Sequence, residues 1–458
     1  MSILHFPPGL PLLLFLSSLF IILKWKVAAN RRKRNFPPSP PKLPIIGNLH
    51  QLGKLPHKSL WRLSQLYGPI MSLNLGRIET IIISSAETAR ALLKTHDLQS
   101  CNRPQTHAMK KFTYNFLDLG FSPYSDYWRE MRKICMLEFF SMKRVLSYEP
   151  IREQEVGLLI ESILQSASCG ATVDLSEKSI ALTTGVIFRI AFGKPFEGNG
   201  FHELISEVEA LMGSYSASEF FPVPFVGEIF DWFNGRKARL EKVFNEINAL
   251  FQENIFVAGL DTGSITIVWA MAELAKNSKL MKKAQEEIRN YVGNKGKVRE
   301  RDVEELPYLK MIVKETLRLH PPAPLLLPRE TISHFKIENY DFYPKTMVQV
   351  NIWAIGRDPT CWTDPEEFLP ERFAESSIDY KGQHFEFLPF GAGRRICPGI
   401  NMGVKTVELA LTNLLYHFDW KLSNGMKEED LDMEESSGLS LTIYKKVPLK
   451  LVPILYHP

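Results

Sequence analysis

The sequence predicts a mainly α-helical protein with small β-sheets, built as a single large domain behind an N-terminal membrane anchor. Two observations predict this fold class: apolar residues recur at three- and four-residue spacing over many segments, and strand-like runs are few and short. The chain has 458 residues, of which 45% are hydrophobic and 23% are charged. This composition supports a large buried core and excludes a disordered chain or a polytopic membrane protein.

Residues 1–24 are predicted to form a transmembrane anchor. Residues 10–23 carry no charge, and the uncharged run extends back to Ile3, which is long enough to span a bilayer. A cleaved signal peptide is the alternative, because residues 27–29 resemble a small-residue cleavage site, but no basic residue precedes the apolar run. The basic cluster at residues 31–34 predicts that the following chain lies on the cytosolic side.

Residues 25–47 are interpreted as this basic stop-transfer cluster followed by a proline-rich hinge. Five prolines within residues 37–44 fix φ and remove backbone donors, so we expect a stiff, extended segment. A plain linker or an SH3-type ligand is the alternative. Because the segment follows the anchor directly, a strut that sets the tilt of the body over the membrane is favoured.

Charge and cysteine content exclude several classes. The first 34 residues hold six basic and no acidic side chains, so the formal net charge of +4 arises there and the rest of the chain is slightly acidic. This argues against a basic nucleic-acid binder. The five cysteines are odd in number, widely separated and without C-x-x-C spacing, which argues against a disulfide framework or a zinc ribbon and favours a reducing cytosolic setting.

Periodicity places the elements of the body in order. Residues 70–84 predict a β-hairpin around Gly76 and Arg77. Helices are predicted over residues 86–95, 125–139, 156–166, 175–191, 238–251, 255–274, 279–291 and 309–319. Short strands are predicted at residues 347–352 and 439–452.

The segment with the clearest chemistry is the glycine-rich loop at residues 390–399, which presents Cys397 ahead of a helical run at residues 402–415. A lone cysteine in such a loop can be a packed thiol, a nucleophile or a metal ligand. Glycines let the backbone approach a flat prosthetic group, the following helix N-terminus favours a thiolate, and Arg395 puts a cation nearby.

The spacing F-x-x-G-x-R-x-C-x-G, from Phe390 to Gly399, resembles the heme-ligand signature of the cytochrome P450 family. The resemblance covers essentially the whole chain and is strongest to plant microsomal members. It implies a P450 heme domain over residues 48–458, heme b as cofactor and Cys397 as the thiolate ligand of the iron. Phe390 is implied to shield the sulfur.

Two other motifs match the family in order. Glu315 and Arg318 share one helix face, and the resemblance implies that Arg372 joins them in a buried structural triad; by itself such a pair is usually exposed. Residues 258–262 match the oxygen-binding motif A-G-x-[DE]-T, which implies proton delivery by Asp261 and a hydrogen bond to bound dioxygen from Thr262. The alternative is a threonine bonded to a helix carbonyl and a solvent-facing Asp261.

The resemblance also implies the residues that hold the heme propionates. Trp128 and Arg132 lie four residues apart on a predicted helix, and Arg329 and Arg395 match arginines with the same role in the family. Arginine suits this role because its guanidinium pairs with carboxylates in bidentate geometry. An interfacial ion pair is the alternative for the helical pair.

A lipophilic substrate is expected, because the segments implied to line the pocket are mostly apolar or small. These segments are residues 101–121, 256–262, 323–327 and 437–441. The residues favoured as contacts are Phe256, Ala258, Leu325 and Leu439.

Electrons must come from another protein, because the sequence contains no nucleotide-binding G-x-G-x-x-G or P-loop pattern. The resemblance implies NADPH–cytochrome P450 reductase as the partner and the endoplasmic reticulum membrane as the location. The basic residues expected to meet the acidic flavin domain of the reductase are Arg129, Lys133, Lys143 and Arg144.

One departure from the family stands out. Only six residues separate the predicted helix that ends at Phe251 from Ala258, where the family carries several tens, and Gly263 replaces the usual Thr or Ser. The sequence therefore predicts an O2-dependent monooxygenase, with two alternatives. One is a heme-thiolate isomerase or dehydratase, which has no use for Asp261 and Thr262. The other is a shortened form of the fold that does not catalyse.

Overall fold

The computed structural model describes residues 35–196, 201–214, 216–221, 224–250, 259 and 261–457. Within these residues no helix is both long and apolar enough to cross a membrane. The predicted anchor at residues 1–24 and the basic cluster at residues 31–34 lie outside the described part of the chain. The same is true of the pocket candidates Phe256 and Ala258.

Helices dominate the described chain. In sequence order they are α1 Pro56–Tyr67, α2 Ala86–Arg90, α3 Asp97–Ser100, α4 His107–Phe112, α5 Asp126–Glu138, α6 Met142–Ser147, α7 Glu149–Ser168, α8 Leu175–Phe192, α9 Phe201–Gly213, α10 Ala217–Phe220, α11 Pro224–Phe233, α12 Arg236–Leu250, α13 Thr262–Lys276, α14 Ser278–Val292, α15 Pro307–Leu319, α16 Ile352–Ile355 and α17 Ile400–His417.

Three small sheets complete the described fold. The strands are β1 Ile70–Leu75, β2 Ile78–Ile83, β3 Val173–Asp174, β4 Arg329–Glu330, β5 Phe335–Ile337, β6 Tyr340–Phe342, β7 Met347–Val350, β8 Phe418–Leu422 and β9 Lys450–Leu455. Their orders are β1-β2-β7-β4, β3-β9-β8 and β5-β6. The antiparallel pairing of β1 with β2, which sets Leu75 opposite Ile78, confirms the predicted hairpin.

The main core forms around α13. Its sequence is apolar on all sides, as expected for a helix that is enclosed by others. The buried faces of α7, α8, α14, α15 and α17 pack into the same hydrophobic cluster as α13. The cysteine loop directly precedes α17. Because α17 is anchored in this core, the core fixes the position of the loop.

Most predicted helices are present, with shifted ends. The segment predicted at residues 156–166 is α7, which begins seven residues earlier at Glu149. Helix α2 continues as a π-helical turn from Ala91 to Thr95, so the predicted helix at residues 86–95 is realised in two parts. The long helix predicted at residues 255–274 is seen as α13 from Thr262, because residues 251–258 and 260 are not described.

The strand predicted at residues 439–452 is wrong for most of its length. A strand forms only from Lys450, and the residues before it turn toward α9 and make short pairings with residues 434–436, such as Ser436 N–H to the Tyr444 carbonyl at 2.8 Å. Pro448, which has no N–H, interrupts the ladder before β9. Alternating composition alone could not reveal this turn.

The described part of the proline segment lies against the body. The Pro38 carbonyl accepts a 2.8 Å bond from the N–H of Ser72 on β1. The Asn48 amide donates to the carbonyls of Pro40 and Pro41 at 3.3 and 3.2 Å, and Asn48 Oδ1 accepts from the N–H of Asn74. These contacts hold the segment along the β1–β2 hairpin.

Candidate functional site

The loop that carries Cys397 is shaped by its glycines. The N–H of Cys397 donates to the Phe390 carbonyl at 3.0 Å, which closes the loop on itself. Gly391 and Gly393 have φ values of 69° and 70°, a region that favours glycine. A Cβ on Gly393 would lie 2.5 Å from the Leu93 carbonyl oxygen, so no side chain fits there. The loop therefore holds the thiol just before the start of α17.

Opposing effects act on the Cys397 thiol. Burial raises its pKa, whereas the Gly399 N–H and the Arg132 guanidinium lower it by favouring the thiolate. The cation beside the sulfur is therefore Arg132, on α5, which also donates to the Ile396 carbonyl at 2.6 Å. Arg395, expected from the sequence to be that cation, turns away because its guanidinium donates to the carbonyls of Cys101 and Ser122 at 2.9 and 2.7 Å.

Trp128 and three arginines form a cation cluster next to this loop. The Arg395 guanidinium lies 4.0 Å from the Trp128 ring centroid and that of Arg132 lies 5.6 Å from it, so both stack over the indole. The indole N–H itself donates to the Leu119 carbonyl at 2.9 Å. The structure thus brings Trp128, Arg132 and Arg395 together.

The third arginine of the cluster, Arg103, was not singled out from the sequence. It is 4% exposed and donates to the carbonyls of Gly120, Leu327 and Pro328, each at 2.8 Å. Burial lowers its pKa well below the usual range, and the cations of Arg395 and Arg329 add to this lowering. An arginine within the apolar pocket segment 101–121 is the signal that could have identified it.

Arg329 has a different environment from the cluster. Its Nη1 binds the buried Asp97 carboxylate at 2.7 Å and its Nη2 donates to the Ala392 carbonyl at 3.0 Å. The other Asp97 oxygen accepts from the N–H and the guanidinium of Arg394 at 2.9 and 3.1 Å. Arg329, which the sequence predicted as a propionate ligand, and Asp97, which the sequence did not reveal, therefore hold the cysteine loop in place.

These residues fit a heme group. Arg395 Nη1 is buried without a hydrogen-bond partner in the described chain, and burial lowers the pKa of Arg395 to about 10, helped by the cations of Arg329 and Arg132. The cluster contains the guanidiniums of Arg103, Arg132 and Arg395, whereas Asp118 is the carboxylate that acts on this cluster. The site therefore lacks negative charge. Two propionates would supply it, and Cys397 would supply a sulfur ligand for the iron.

Replacing Arg395 with Leu is expected to weaken heme binding about 10- to 100-fold, because a charge-assisted hydrogen bond contributes about 1.5–3 kcal/mol. The measurement is heme content per polypeptide after dilution, with far-UV circular dichroism to show that the helices persist. Arg301→Leu, at an exposed position, is the matched control. Equal heme content in both variants would contradict the assignment of Arg395.

Glu315, Arg318 and Arg372 form a buried network. Arg318 Nε and Nη2 each bind one oxygen of the Glu315 carboxylate at 2.7 Å, and Arg372 Nε binds it at 3.0 Å. Glu315 also accepts the N–H of Leu369 at 2.9 Å. The remaining guanidinium donors bind backbone carbonyls between residues 356 and 367. The network therefore fixes α15 to the segment that leads to the cysteine loop.

The oxygen-motif acid is buried and does not face solvent. Asp261 is 2% exposed and precedes α13, and its Oδ2 accepts from Tyr444 Oη at 2.5 Å and Thr442 Oγ1 at 3.1 Å. Thr262 is the first residue of α13 and its carbonyl accepts from Thr266 at 2.9 Å. A Cβ on Gly263 would lie 3.1 Å from a Thr183 methyl, so this glycine lets α8 approach α13 closely.

Three of the four predicted pocket segments line one cavity of about 70 Å³. Leu325 and Leu439, which were favoured as contacts, both face it. Its wall also includes residues that were not predicted, chiefly from residues 49–60 and from α9. These additional lining residues include Leu49, Leu60, Met212, Phe220 and Gln349.

A helical body that presents one cysteine at a helix start, beside buried cations with too few carboxylates, defines a heme-thiolate oxidoreductase. The cytochrome P450 family model matches residues 37–255 and 244–449. Cytochrome P450 71B19 and cytochrome P450 71B34 of Arabidopsis thaliana are each 46% identical to this chain, over 97% and 96% of it and 98% of their own lengths. The chain belongs to the cytochrome P450 family and is a heme-thiolate monooxygenase by that membership.

The comparisons also locate the missing stretch. The alignment with cytochrome P450 71B19 spans 496 positions, which exceeds the 458 residues of this chain, so the relative has residues that this chain lacks. The two family-model matches overlap at residues 244–255, shortly before the oxygen motif at residues 258–262. This agrees with the short connection noted in the sequence.

Proposed function

We propose that this P450 is anchored in the endoplasmic reticulum membrane and inserts one oxygen atom from O2 into a small lipophilic plant metabolite. The observation that supports this most strongly is the cysteine loop beside the cluster of Trp128, Arg103, Arg132 and Arg395. Bound heme b would supply an iron centre that activates dioxygen.

In this proposal each residue of the site has a defined task. Cys397 would bind the iron through its sulfur and Phe390 would shield that sulfur. The arginines that cluster around Trp128 would hold the propionates, and the Trp128 ring would position the guanidiniums of Arg132 and Arg395. Arg329 acts through Asp97 by fixing the loop. Asp261 would relay protons toward the reacting oxygen, and Thr262 would donate a hydrogen bond there.

Shape and apolar contact would select the substrate, through Leu325 and Leu439 together with Phe256 and Ala258. The described cavity of about 70 Å³ is small beside the roughly 300–1,000 Å³ of ordinary ligand pockets. Gly213 of α9 packs so tightly on Ser440 and Leu441 that an added Cβ would lie 2.7–2.9 Å from their backbone. The close contact of α9 with this turn therefore limits the space available to a substrate in the described cavity.

Electrons would come from NADPH–cytochrome P450 reductase at the surface of α5. An open cleft of about 330 Å³ is lined there by Trp128, Arg129, Arg132, Lys133 and Arg394, next to the residues that contact the cysteine loop. The exposed residues Lys143 and Arg144 lie on α6, which contacts α17. A basic face of this kind complements an acidic flavin domain.

The double change Arg129→Glu and Lys133→Glu is expected to slow reductase-dependent reduction about 10-fold at low salt and to flatten its salt dependence, because long-range attraction sets the encounter rate. Stopped-flow reduction at two ionic strengths measures this. The control carries Lys279→Glu and Lys282→Glu on α14, where both lysines are exposed. Identical reduction kinetics for the two double variants would contradict docking of the reductase at this face.

One feature of the sequence and one of the structure support the membrane location. One is the uncharged run at residues 10–23. The other is α11, on which Phe225, Trp232 and Phe233 are 69%, 69% and 75% exposed, more than a water-facing helix normally shows.

The activity is tested with the full chain in microsomal membranes, reductase, NADPH and ¹⁸O2, using indole and limonene as probe substrates. The proposal expects products that carry one ¹⁸O atom and that require both NADPH and reductase. Heme-loaded protein that transforms a peroxide without reductase, and never incorporates ¹⁸O2, would favour the isomerase or dehydratase instead.

A second candidate is a shortened P450 that no longer catalyses. It is favoured by one observation: cytochrome P450 71B19 has residues that this chain lacks, and the two family-model matches overlap just before the oxygen motif. Loss of packed structure there removes contacts whose sum can approach the roughly 5–15 kcal/mol that stabilises a folded protein. Failure to bind heme in membranes that contain the chain would support this candidate.

A further inference from the structure

Two carboxyl groups meet inside the protein at the start of α13. Glu209, on α9, is 5% exposed and Asp261 is 2% exposed, and their side chains are within hydrogen-bonding reach of each other. Thr442 lies between them, with its hydroxyl in contact with Glu209 Oε2 and 3.1 Å from Asp261 Oδ2. No cation in the described part of the chain pairs with either carboxyl group.

The hydrogen-bond count requires an additional proton. The Thr442 hydroxyl has one hydrogen and contacts two carboxyl groups, so it can donate to only one of them. The Tyr444 hydroxyl donates to the Asp261 oxygen that already faces Thr442, which leaves Asp261 Oδ1 buried without a partner in the described chain. A proton on Glu209 resolves the contact with Thr442, because Glu209 can then donate to the Thr442 oxygen while Thr442 donates to Asp261.

We propose that Glu209 is a positioning residue for Asp261: it keeps one proton in a Glu209–Thr442–Asp261 chain and thereby ties α9 to the start of α13. Two ionised carboxylates at this distance, without a cation, would repel each other and separate the two helices. A single shared proton removes that repulsion and holds the Asp261 side chain in one orientation. An effect of Glu209 on turnover, through the orientation of Asp261, rests on the proposed function of Asp261.

The electrostatics agree with this geometry. Burial raises the pKa of Glu209 well above its usual value of 4.5, and the negative charge of Asp261 raises it further. Burial, Asp261 and Glu209 together raise the pKa of Tyr444, which keeps this hydroxyl as a donor. Helices α4 and α12, which also pack on α9, contribute no charged group that acts on Glu209.

The sign of the pH effect follows from linkage. The folded chain binds the Glu209 proton more tightly than the unfolded chain, so the stability contributed by this proton is complete below pH 4.5. It is lost as pH rises toward the folded-state pKa. Glu209→Gln keeps a hydrogen-bond donor but cannot ionise, so its stability relative to the wild type should increase with pH.

The experiment measures thermal unfolding of the full-length protein by circular dichroism from pH 5 to pH 9. We expect the unfolding temperature of Glu209→Gln, relative to wild type, to rise by about 2–4 °C across this range. The control Glu203→Gln, on an exposed position of the same helix, should show a constant difference. Thr442→Val, which removes the bridging hydroxyl at nearly constant shape, should lower stability at all pH values and alter the wild-type pH profile.

Parallel pH profiles for Glu209→Gln and Glu203→Gln would overturn the proposal. So would a Glu209→Gln variant that is less stable than the wild type by the same amount at every pH, since that describes a packing role without a bound proton. Unfolding reports on this pair whether or not the chain turns over substrate. The failure of this inference and the failure of the monooxygenase proposal are therefore distinguishable.

Discussion

Replacing Glu315 with Gln is expected to destabilise the folded chain by about 3–5 kcal/mol, because it leaves the buried guanidiniums of Arg318 and Arg372 without their anion. Glu315 and Arg318 are both fully buried, and Arg372 is 9% exposed. This cost is a large part of the roughly 5–15 kcal/mol that stabilises a folded protein. The measurement is thermal unfolding followed by circular dichroism, together with the yield of folded protein in membranes.

Glu367→Gln is the matched control for this prediction. Its side chain is exposed in the same segment, although its backbone carbonyl accepts from both arginines of the network. We expect this control to change stability by less than about 0.5 kcal/mol. Similar small effects in the two variants would show that the network does not hold the fold.

Replacing Cys397 with Ala is expected to abolish thiolate ligation and to reduce retained heme severely, because no other described cysteine lies on this loop. Cys361→Ala is the control, since Cys361 is exposed and far from the loop in sequence. Heme content and the Soret absorption of the oxidised proteins are compared. A heme-loaded Cys397→Ala protein with an unchanged absorption spectrum would contradict the role of this residue.

Local patterns in the sequence predicted much of the fold. The hairpin of β1 and β2 and the helices α5, α8, α14, α15 and α17 follow from alternation and from apolar spacing, which depend on neighbouring residues. The turn that replaces the predicted strand at residues 439–449 depends instead on contacts with distant parts of the chain. Such contacts do not leave a periodic signal.

The candidate site was predictable where its residues form a local motif and was not predictable where they depend on distant partners. Motif spacing identified Cys397, Trp128, Arg132 and the Glu315 network, and the structure brings each group together. Asp97 and Arg103 were missed because their importance arises from partners far along the chain, such as Arg329 and the Pro328 carbonyl. Glu209 was missed because an isolated glutamate on a helix carries no sign that it will meet a second carboxyl group.

The most direct test of the whole account is the carbon monoxide difference spectrum of the reduced full-length protein in microsomal membranes. The account predicts a thiolate-type Soret band, which requires that the Cys397 loop, the cation cluster and the shortened connection before Asp261 coexist in one folded heme protein. Abundant membrane-bound protein that gives no such band would contradict it, and would assign this chain to the shortened, non-catalytic form.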